Sequence, residues 1–498
     1  MGLANNRQLR SMLLVVPPPG GTPQSAWLGI DRLASGAMTD TAHAGMMGGA
    51  GIPGLDPTLQ KQLSADWRKV QTAWSARDAA GAGEALNRLA AGLARIEPRL
   101  YPERSRLALE HWYYKYSKLM GVWFLYALGF VILLAAFLGR HNTARRAGVL
   151  VFVIAFALHT VSIGVRWFLA GRVPIANMFE AVTGAAWLGA AAALVLEVWL
   201  RRSPMRNLFA TGASFFAMLA LGAGYFMPVT LNSNISNTMP ILNTVWLQIH
   251  VSLIIFGYAM IAVAFVTAVL YLSLRLVGTA EYDRYGEYRG VLAHRSRLVQ
   301  MTDVPAHRRG PAFFVGAAVA VAMAIVLALL LRGEIAGALS KVLAPAGTGS
   351  AIAHALYAVL LVAVVVLGPP FVIWLLVGTA LIILGRDHAA ESIRDVPRGL
   401  VLDGATMILI EAAFVTLWVG IVLGAGWADV SWGRPWGWDP KEVFALNTWL
   451  IFVGLIHIRL NVRDKGLWTA VLAVAGFLVM MFNWIGVNYF IIGLHSYA

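Results

Sequence analysis

Hydrophobic and polar positions divide this 498-residue chain into two regimes. Beyond about residue 119, apolar runs of about 20 residues recur between short polar connections, the length a helix needs to cross a bilayer core. The pattern predicts ten spans, at about 119–139, 148–168, 179–200, 207–227, 246–274, 312–331, 352–384, 401–424, 442–460 and 467–488. The fifth and seventh are longer than a bilayer requires and are expected to tilt or to extend beyond it. The expected fold is all-α, a polytopic integral membrane protein, with residues 119–498 as its transmembrane domain.

Residues 1–118 follow a different pattern and are expected to form a small helical region outside the membrane. Residues 17–58 are rich in Gly, Pro, Ala and Met without periodicity, which reads as linker. From 58 to 118 the reading is helical. Leu59, Leu63, Trp67, Val70 and Trp74 fall on one helical face. Residues 100–118 are aromatic and basic and run into the first span, as an interfacial helix does.

Composition sharpens this picture. The chain is 59% hydrophobic and 13% charged, against about 25% charged in soluble proteins, which excludes a soluble enzyme. It has no cysteine, which rules out disulfides, thiolate zinc sites, iron–sulfur ligation and a redox dithiol. The net charge of +14 is topogenic in its distribution. The loops at 140–147, 201–206, 275–311, 385–400 and 459–466 hold 19 Lys and Arg; the alternate set at 166–178, 228–245, 332–351 and 425–441 holds 6. The positive-inside bias assigns the first set to the cytoplasm, which leaves both termini and the 425–441 loop on the other side. Nucleic acid is therefore not an expected partner; membrane lipid is. The early apolar stretch Met12–Val16 is too short for an anchor or a signal peptide, so a segment upstream of Met1 is expected to deliver the N-terminal region outward.

The most unusual segment is Trp427–Glu442, WADVSWGRPWGWDPKE. Trp427, Trp432, Trp436 and Trp438 cluster with glycines and a proline, more densely than an interfacial aromatic belt. Such a cluster suits a flat, apolar ligand. Asp439 followed by Pro440 fits a helix start, with Asp439 as N-cap; Asp439 and Glu442 suit that structural role as well as a functional one.

WGRPWGWDPKE closely resembles the WWD signature of heme-handling membrane proteins, and DPKE resembles the CcsA/ResC branch of System II cytochrome c biogenesis. His250 in WLQIHVSLIIFGY, His457 in TWLIFVGLIHIR and His495 in NYFIIGLHSY are similar to that family's external, transmembrane and second external histidines. RWFLAGRVPIANMFEA, residues 166–181, also resembles a family segment, with Phe179 where tyrosine is usual. The resemblance covers roughly residues 148–276 and 400–498. The region 277–400, with two extra spans and an arginine-rich loop, departs from the compact family pattern.

The resemblance implies a holocytochrome c synthase (heme lyase) component in a bacterial cytoplasmic membrane. It would carry heme b across the membrane and present it on the Trp-rich loop for thioether attachment to CXXCH of apocytochrome c. His250 and His495 would ligate the heme iron outside, with Trp427, Trp432, Trp436 and Trp438 around it. Trp432, Trp436, Trp438, Asp439 and Glu442 are the candidate reaction-site residues. His457 lies 18 residues after Asp439, about 27 Å along a helix, and would hold heme deeper in the membrane. Its second ligand is expected from a CcsB/ResB-type partner, with His159 the internal candidate. Thiol-reducing proteins would act indirectly.

Three other readings compete. A System I-type heme-delivery protein is disfavoured by DPKE and the GLHSY ending. A respiratory subunit would carry lysines, glutamates or paired histidines in several mid-membrane spans, whereas here Glu197 and Glu411 are the main acidic exceptions. A small-molecule transporter should display inverted repeats, and no convincing repeat is visible.

Overall fold

The computed structural model describes residues 11–22, 25–35, 52–115, 121–139, 141–235, 244–277, 368, 370–386, 397–462, 464–491 and 493. It divides into two compact units, residues 1–115 and 116–498.

In the first unit, β1 (Leu14–Val16) pairs antiparallel with β2 (Leu28–Gly29) ahead of α1 (Asp31–Ser35). Then come α2 (Pro57–Ser75), α3 (Ala79–Leu93) and α4 (Arg104–Lys115). Asp56 caps α2 by accepting the Thr58 N–H, and Asp78 caps α3 by accepting from Gly81. Leu63, Trp67 and Val70 of α2 are buried against Ala85, Leu89 and Leu93 of α3, as the spacing predicts, while Trp74 is exposed. The linker reading of 17–58 needs correcting for its described part. Ile30, Leu33, Ile52 and Leu55 all enter the same core. Single apolar residues among glycines and prolines have no period, so a pattern search does not see them. α4 buries no residue, in keeping with a helix whose aromatic and basic side chains face outward.

The second unit has eight helices among the described residues long and apolar enough to cross a membrane. They are α5 (Val122–Gly139), α6 (Asn142–Ala170), α7 (Met178–Trp199), α8 (Leu208–Phe226), α9 (Val245–Leu276), α11 (Arg398–Trp432), α12 (Pro440–Asn461) and α13 (Lys465–Met481). The last continues through a π-helical turn, Phe482–Gly486, into α14 (Val487–Phe490). The shorter apolar α10 (Pro370–Ile383) lies before α11. Eight of the ten expected spans thus appear as helices. The sixth, 312–331, lies outside the described residues, and of the seventh only 368 and 370–384 are described.

In lipid no water competes for helix faces, so close van der Waals packing and interhelical hydrogen bonds hold a bundle together. α9 is the hub. Gly189 of α7 leaves room for Ala259, and Gly212 of α8 for Val263. Against α11, Gly257 faces Leu417, and Gly420 faces Ile254. Thr267 and Thr406 share a 2.7 Å hydrogen bond across the same interface. Phe265 stacks on Phe477 of α13 at 4.1 Å.

The end of the bundle opposite the α11–α12 connection is fastened by ion pairs. Arg459 of α12 makes two bonds to the Asp403 carboxylate, 2.6 and 3.0 Å, both side chains buried. Arg275 pairs with Asp464 at 2.6 Å. Buried Glu197 accepts the N–H groups of Asn207 and Ala210 at the start of α8.

Breaking a buried pair strands a charge at a cost of about 3–5 kcal/mol, whereas replacing both partners by apolar residues is often neutral. Asp403→Ala should therefore lower the thermal midpoint and the monodisperse yield in detergent sharply, and Asp403→Leu with Arg459→Met should recover most of the loss. Thermal unfolding of the purified variants checks this order.

Candidate functional site

The α11–α12 connection is shorter than its sequence suggests. α11 continues to Trp432 and ends at Gly433, whose φ of 72° is the left-handed conformation that closes a helix. The loop expected at 425–441 is therefore only residues 433–439. Gly426 stays helical where it meets the Trp246 indole, the stretch 427–432 contains no Gly or Pro, and Gly433 is the next residue suited to end the helix. Trp427 and Trp432 are thus helical residues, 5.0 Å apart and edge-to-face at 74°. Trp436 and Trp438 form a second perpendicular pair, 6.0 Å apart at 89°. The four indoles do not form one flat surface. Trp438 takes a left-handed φ of 56° and is 75% exposed.

Asp439 and Glu442 form a reciprocal capping box at the start of α12. Asp439 accepts the Lys441 N–H, and Glu442 Oε2 accepts those of Gly437 (2.8 Å) and Asp439 (3.2 Å). Both carboxylates therefore fold the connection back onto α12, and Asp439 is buried. The structural role that their spacing suggested is the one these hydrogen bonds describe.

Beside this connection lies a cavity of about 320 Å³. Trp427, Trp436 and Trp484 supply its aromatic wall, with Ile254, Ile255 and Ile421 adding apolar surface. Arg172, Gln248, Lys441, Asn483 and Asn488 supply polar groups. His250 opens onto it from the first turns of α9. Its ring is seated between helices, because a Cβ on Gly424 would lie 2.5 Å from the imidazole Cε1. Its Nδ1 is 2.7 Å from the Gly420 carbonyl. A carbonyl can only accept, so Nδ1 carries the proton and the lone pair sits on Nε2, the arrangement that orients a ligating histidine. Trp246 repeats the device one turn earlier, donating Nε1–H to the Leu423 carbonyl at 2.7 Å.

An ion network braces the same end of the bundle. Arg166 and Glu180 are both fully buried. Arg166 Nε and a terminal nitrogen lie 2.9 and 2.8 Å from Glu180 Oε1, and Arg172 reaches Oε2 at 2.7 Å. Arg166 also donates to the carbonyls of Ser233 (2.7 Å) and Asn234 (3.2 Å), with Phe179 beneath its guanidinium at 5.0 Å. Glu180 is itself placed by Asn177, which caps α7. One glutamate thus ties the α6 end, the 172–177 loop and the segment after α8 into one frame behind the cavity.

The other expected site residues separate. Trp432 and Trp438 are not on the cavity wall. His159 is fully buried, its Nδ1 3.3 Å from the Tyr126 hydroxyl, and it lies off the cavity. His457 is exposed on α12 with Nδ1 2.8 Å from the Val453 carbonyl of its own helix. His159 is enclosed against Tyr126 of α5. His457 bonds its own helix on the exposed face of α12, which among the described residues does not pack on α6, so the two do not form a pair in this arrangement. Asn447, Leu450, His457 and Asn461 fall on one exposed stripe of α12, and Gly454 between them faces open space. His495 lies outside the described residues; Gly493, two positions earlier in sequence, packs against Asp439 and Pro440. Among the described residues no group of three or more His, Asp or Glu side chains could hold a metal ion.

Sequence reasoning missed Trp484, Tyr258 and the Arg166–Glu180–Arg172 network as parts of the site. Two arginines and a glutamate within fifteen residues at span ends were the available signal, since buried charges in membranes are paired or functional.

A bundle with eight helices, among the described residues, long and apolar enough to cross a membrane, and with an aromatic cavity and an oriented histidine at one end, defines a polytopic integral membrane protein. The chain belongs to the cytochrome c assembly protein family, whose model matches residues 175–495, and within it to the CcsA type. It is 28% identical to the cytochrome c biogenesis protein CcsA of Gloeothece citriformis, over 68% of this chain and 82% of that protein. For CcsA of Rippkaea orientalis the identity is 28%, over 72% and 88%. For CcsA of Pyropia yezoensis it is 25%, over 73% and 90%. The chain is a membrane component of cytochrome c biogenesis.

Replacing Glu180 by Ala leaves two arginines without their anion and should cost about 3–5 kcal/mol. Arg172→Ala keeps the Arg166 pair and should cost about 1–3 kcal/mol. Thermal midpoints in detergent should rank wild type, Arg172→Ala and Glu180→Ala in descending order.

Proposed function

We propose that this chain binds heme b as its substrate in the cavity beside His250 and presents it for covalent attachment to CXXCH of apocytochrome c. His250, with Nδ1 held by the Gly420 carbonyl and Nε2 left as the acceptor nitrogen, is the observation that carries this reading. Imidazole is a good iron ligand, and the indoles of Trp427, Trp436 and Trp484 supply faces and edges for a macrocycle. His495, close in sequence to the segment packed on Asp439, is the second axial ligand of the external site. Trp432 and Trp438 brace and edge the aromatic cluster through their pairs with Trp427 and Trp436. Asp439 and Glu442 hold the connection in shape.

The heme lyase step is an addition. A cysteine S–H adds across a heme vinyl group, sulfur bonding to one vinyl carbon and the proton ending on the other, so the step is redox-neutral. This chain's contribution is position, since a vinyl group held beside an incoming thiol gains effective molarity. The thiols must arrive reduced, which assigns that task to thiol-reducing proteins elsewhere.

The charge bias of the loops supports an orientation in which the Trp-rich connection and both termini lie outside the cytoplasm. The N-terminal unit then stands outside as a separate domain. His457 marks a deeper heme level. The stripe Asn447–Leu450–Gly454–His457–Asn461 places polar side chains on an otherwise apolar surface, where a polar group calls for a partner. A transmembrane helix of a CcsB/ResB-type protein, bringing a second ligand for His457, meets that demand.

The purified protein should show the reduced absorption bands of bis-imidazole b-type heme. His250→Ala and His495→Ala should each lose most of this signal, and added imidazole should restore it. Gly424→Val, which drives a side chain into the imidazole's space, should reproduce His250→Ala without touching the ligand. Absence of heme in wild type and variants alike, even with a CcsB/ResB-type protein co-expressed, would sink the proposal. For the partner, Asn447→Leu with Asn461→Leu should reduce co-purification several-fold while leaving the His250-dependent spectrum in place.

A further inference from the structure

The cavity wall has a chemical polarity that coordination by His250 does not use. It carries two cationic side chains, Arg172 and Lys441. Its carboxylate, Glu442, already receives the N–H groups of Gly437 and Asp439 on Oε2. The first turns of three helices reach the cavity, α7 through Met178, α9 through Gln248 and α12 through Lys441, and each brings the positive end of its dipole.

An independent observation comes from Trp427. Its indole lines the cavity at 5% exposure, and its Nε1–H has no hydrogen-bond acceptor. A buried donor without a partner is costly, and an acceptor brought by a ligand removes that cost. Trp246, the neighbouring indole on α9, has its N–H satisfied by Leu423; of the buried indoles among the described residues whose N–H has no acceptor, Trp427 is the one that lines the cavity.

We propose that the inner wall of the cavity is an anion subsite in which Trp427 Nε1–H, the Lys441 ammonium and the Arg172 guanidinium receive a carboxylate of the ligand. The subsite rests on the reading of the ligand as heme, whose two propionates sit on the edge away from its vinyl groups. Holding that edge inside fixes the in-plane rotation of the macrocycle. The vinyl edge is then turned outward, toward the exposed indole of Trp438, where a thiol-bearing peptide has access. Aromatic contact alone cannot set this rotation, because every edge of a porphyrin offers the same π-face.

The test uses the full chain in lipid nanodiscs, titrated with iron-free protoporphyrin IX and with its dimethyl ester. Without iron, histidine ligation contributes nothing, and the two probes differ in their carboxylates. Wild type should bind the diacid about tenfold more tightly than the diester, as one charge-assisted hydrogen bond supplies. Lys441→Met and Trp427→Phe should each shrink that preference to about twofold or less. His250→Ala should keep it. Equal binding of diacid and diester by wild type, or an unchanged preference in both variants, overturns the subsite while leaving the heme reading intact. A retained diacid preference in a protein that never yields a bis-imidazole heme spectrum upholds the subsite and overturns the axial-ligand reading. A wild type that takes up neither porphyrin overturns both.

Discussion

The close approach of α9 and α11 is the constraint on which the site depends. Gly420 and Gly424 stand one turn apart on α11, and the space they leave admits Ile254 and the His250 ring. The same closeness brings side-chain donors of α9 within reach of α11 carbonyls at Gly420 and Leu423. Those carbonyls lie inside a helix and can still accept a second donor through their other lone pair. A larger residue at 424 would move the imidazole and break its hydrogen bond together, so helix packing and histidine tautomer are a single property here.

Charge is handled differently at the two ends of the bundle. At one end, Asp403, Arg459, Arg275 and Asp464 join helices in pairs. At the other, Glu180 serves two arginines, and backbone carbonyls from 233 and 234 complete the shell around Arg166. With no water in a bilayer core to rescue an unmatched group, these networks locate the helix ends. The cavity sits against the second of them, on a frame with little freedom to shift.

Much of the fold is legible in the sequence because span length and apolar content are one-dimensional properties. Val122–Gly139 and Leu208–Phe226, for example, fall within a few residues of the predicted spans. The N-cap at Asp439 could be read for the same reason, as Asp–Pro at a helix start is a local signal. The end of α11 could not be read from hydropathy, because Trp427–Trp432 is polar enough to resemble a loop while containing no residue that stops a helix. Trp484 was hidden for the opposite reason: within an apolar run an indole looks like any other span residue. Its ring partner, Tyr258, lies more than two hundred positions away in sequence and is held by a hydrogen bond from Asn483. The separation of His159 from His457 was equally invisible, since depth along a helix can be counted but facing depends on neighbours.

The π-helical turn at Phe482–Gly486 acts as a phase setting for the end of the chain. A π-turn contains one residue more than the α-helical turn it replaces, and each residue advances a helix by about 100°. Asn483 and Trp484 lie inside that turn and Asn488 just beyond it, all on the cavity wall. Losing a single residue there would keep the span's length and hydropathy almost intact while swinging everything after it, Gly493 included, about a quarter-turn around the axis. In this region the chain tolerates exchange of one side chain for another far better than a change of count, and a homologue differing by one residue in this turn would have to rebuild the cavity's far wall.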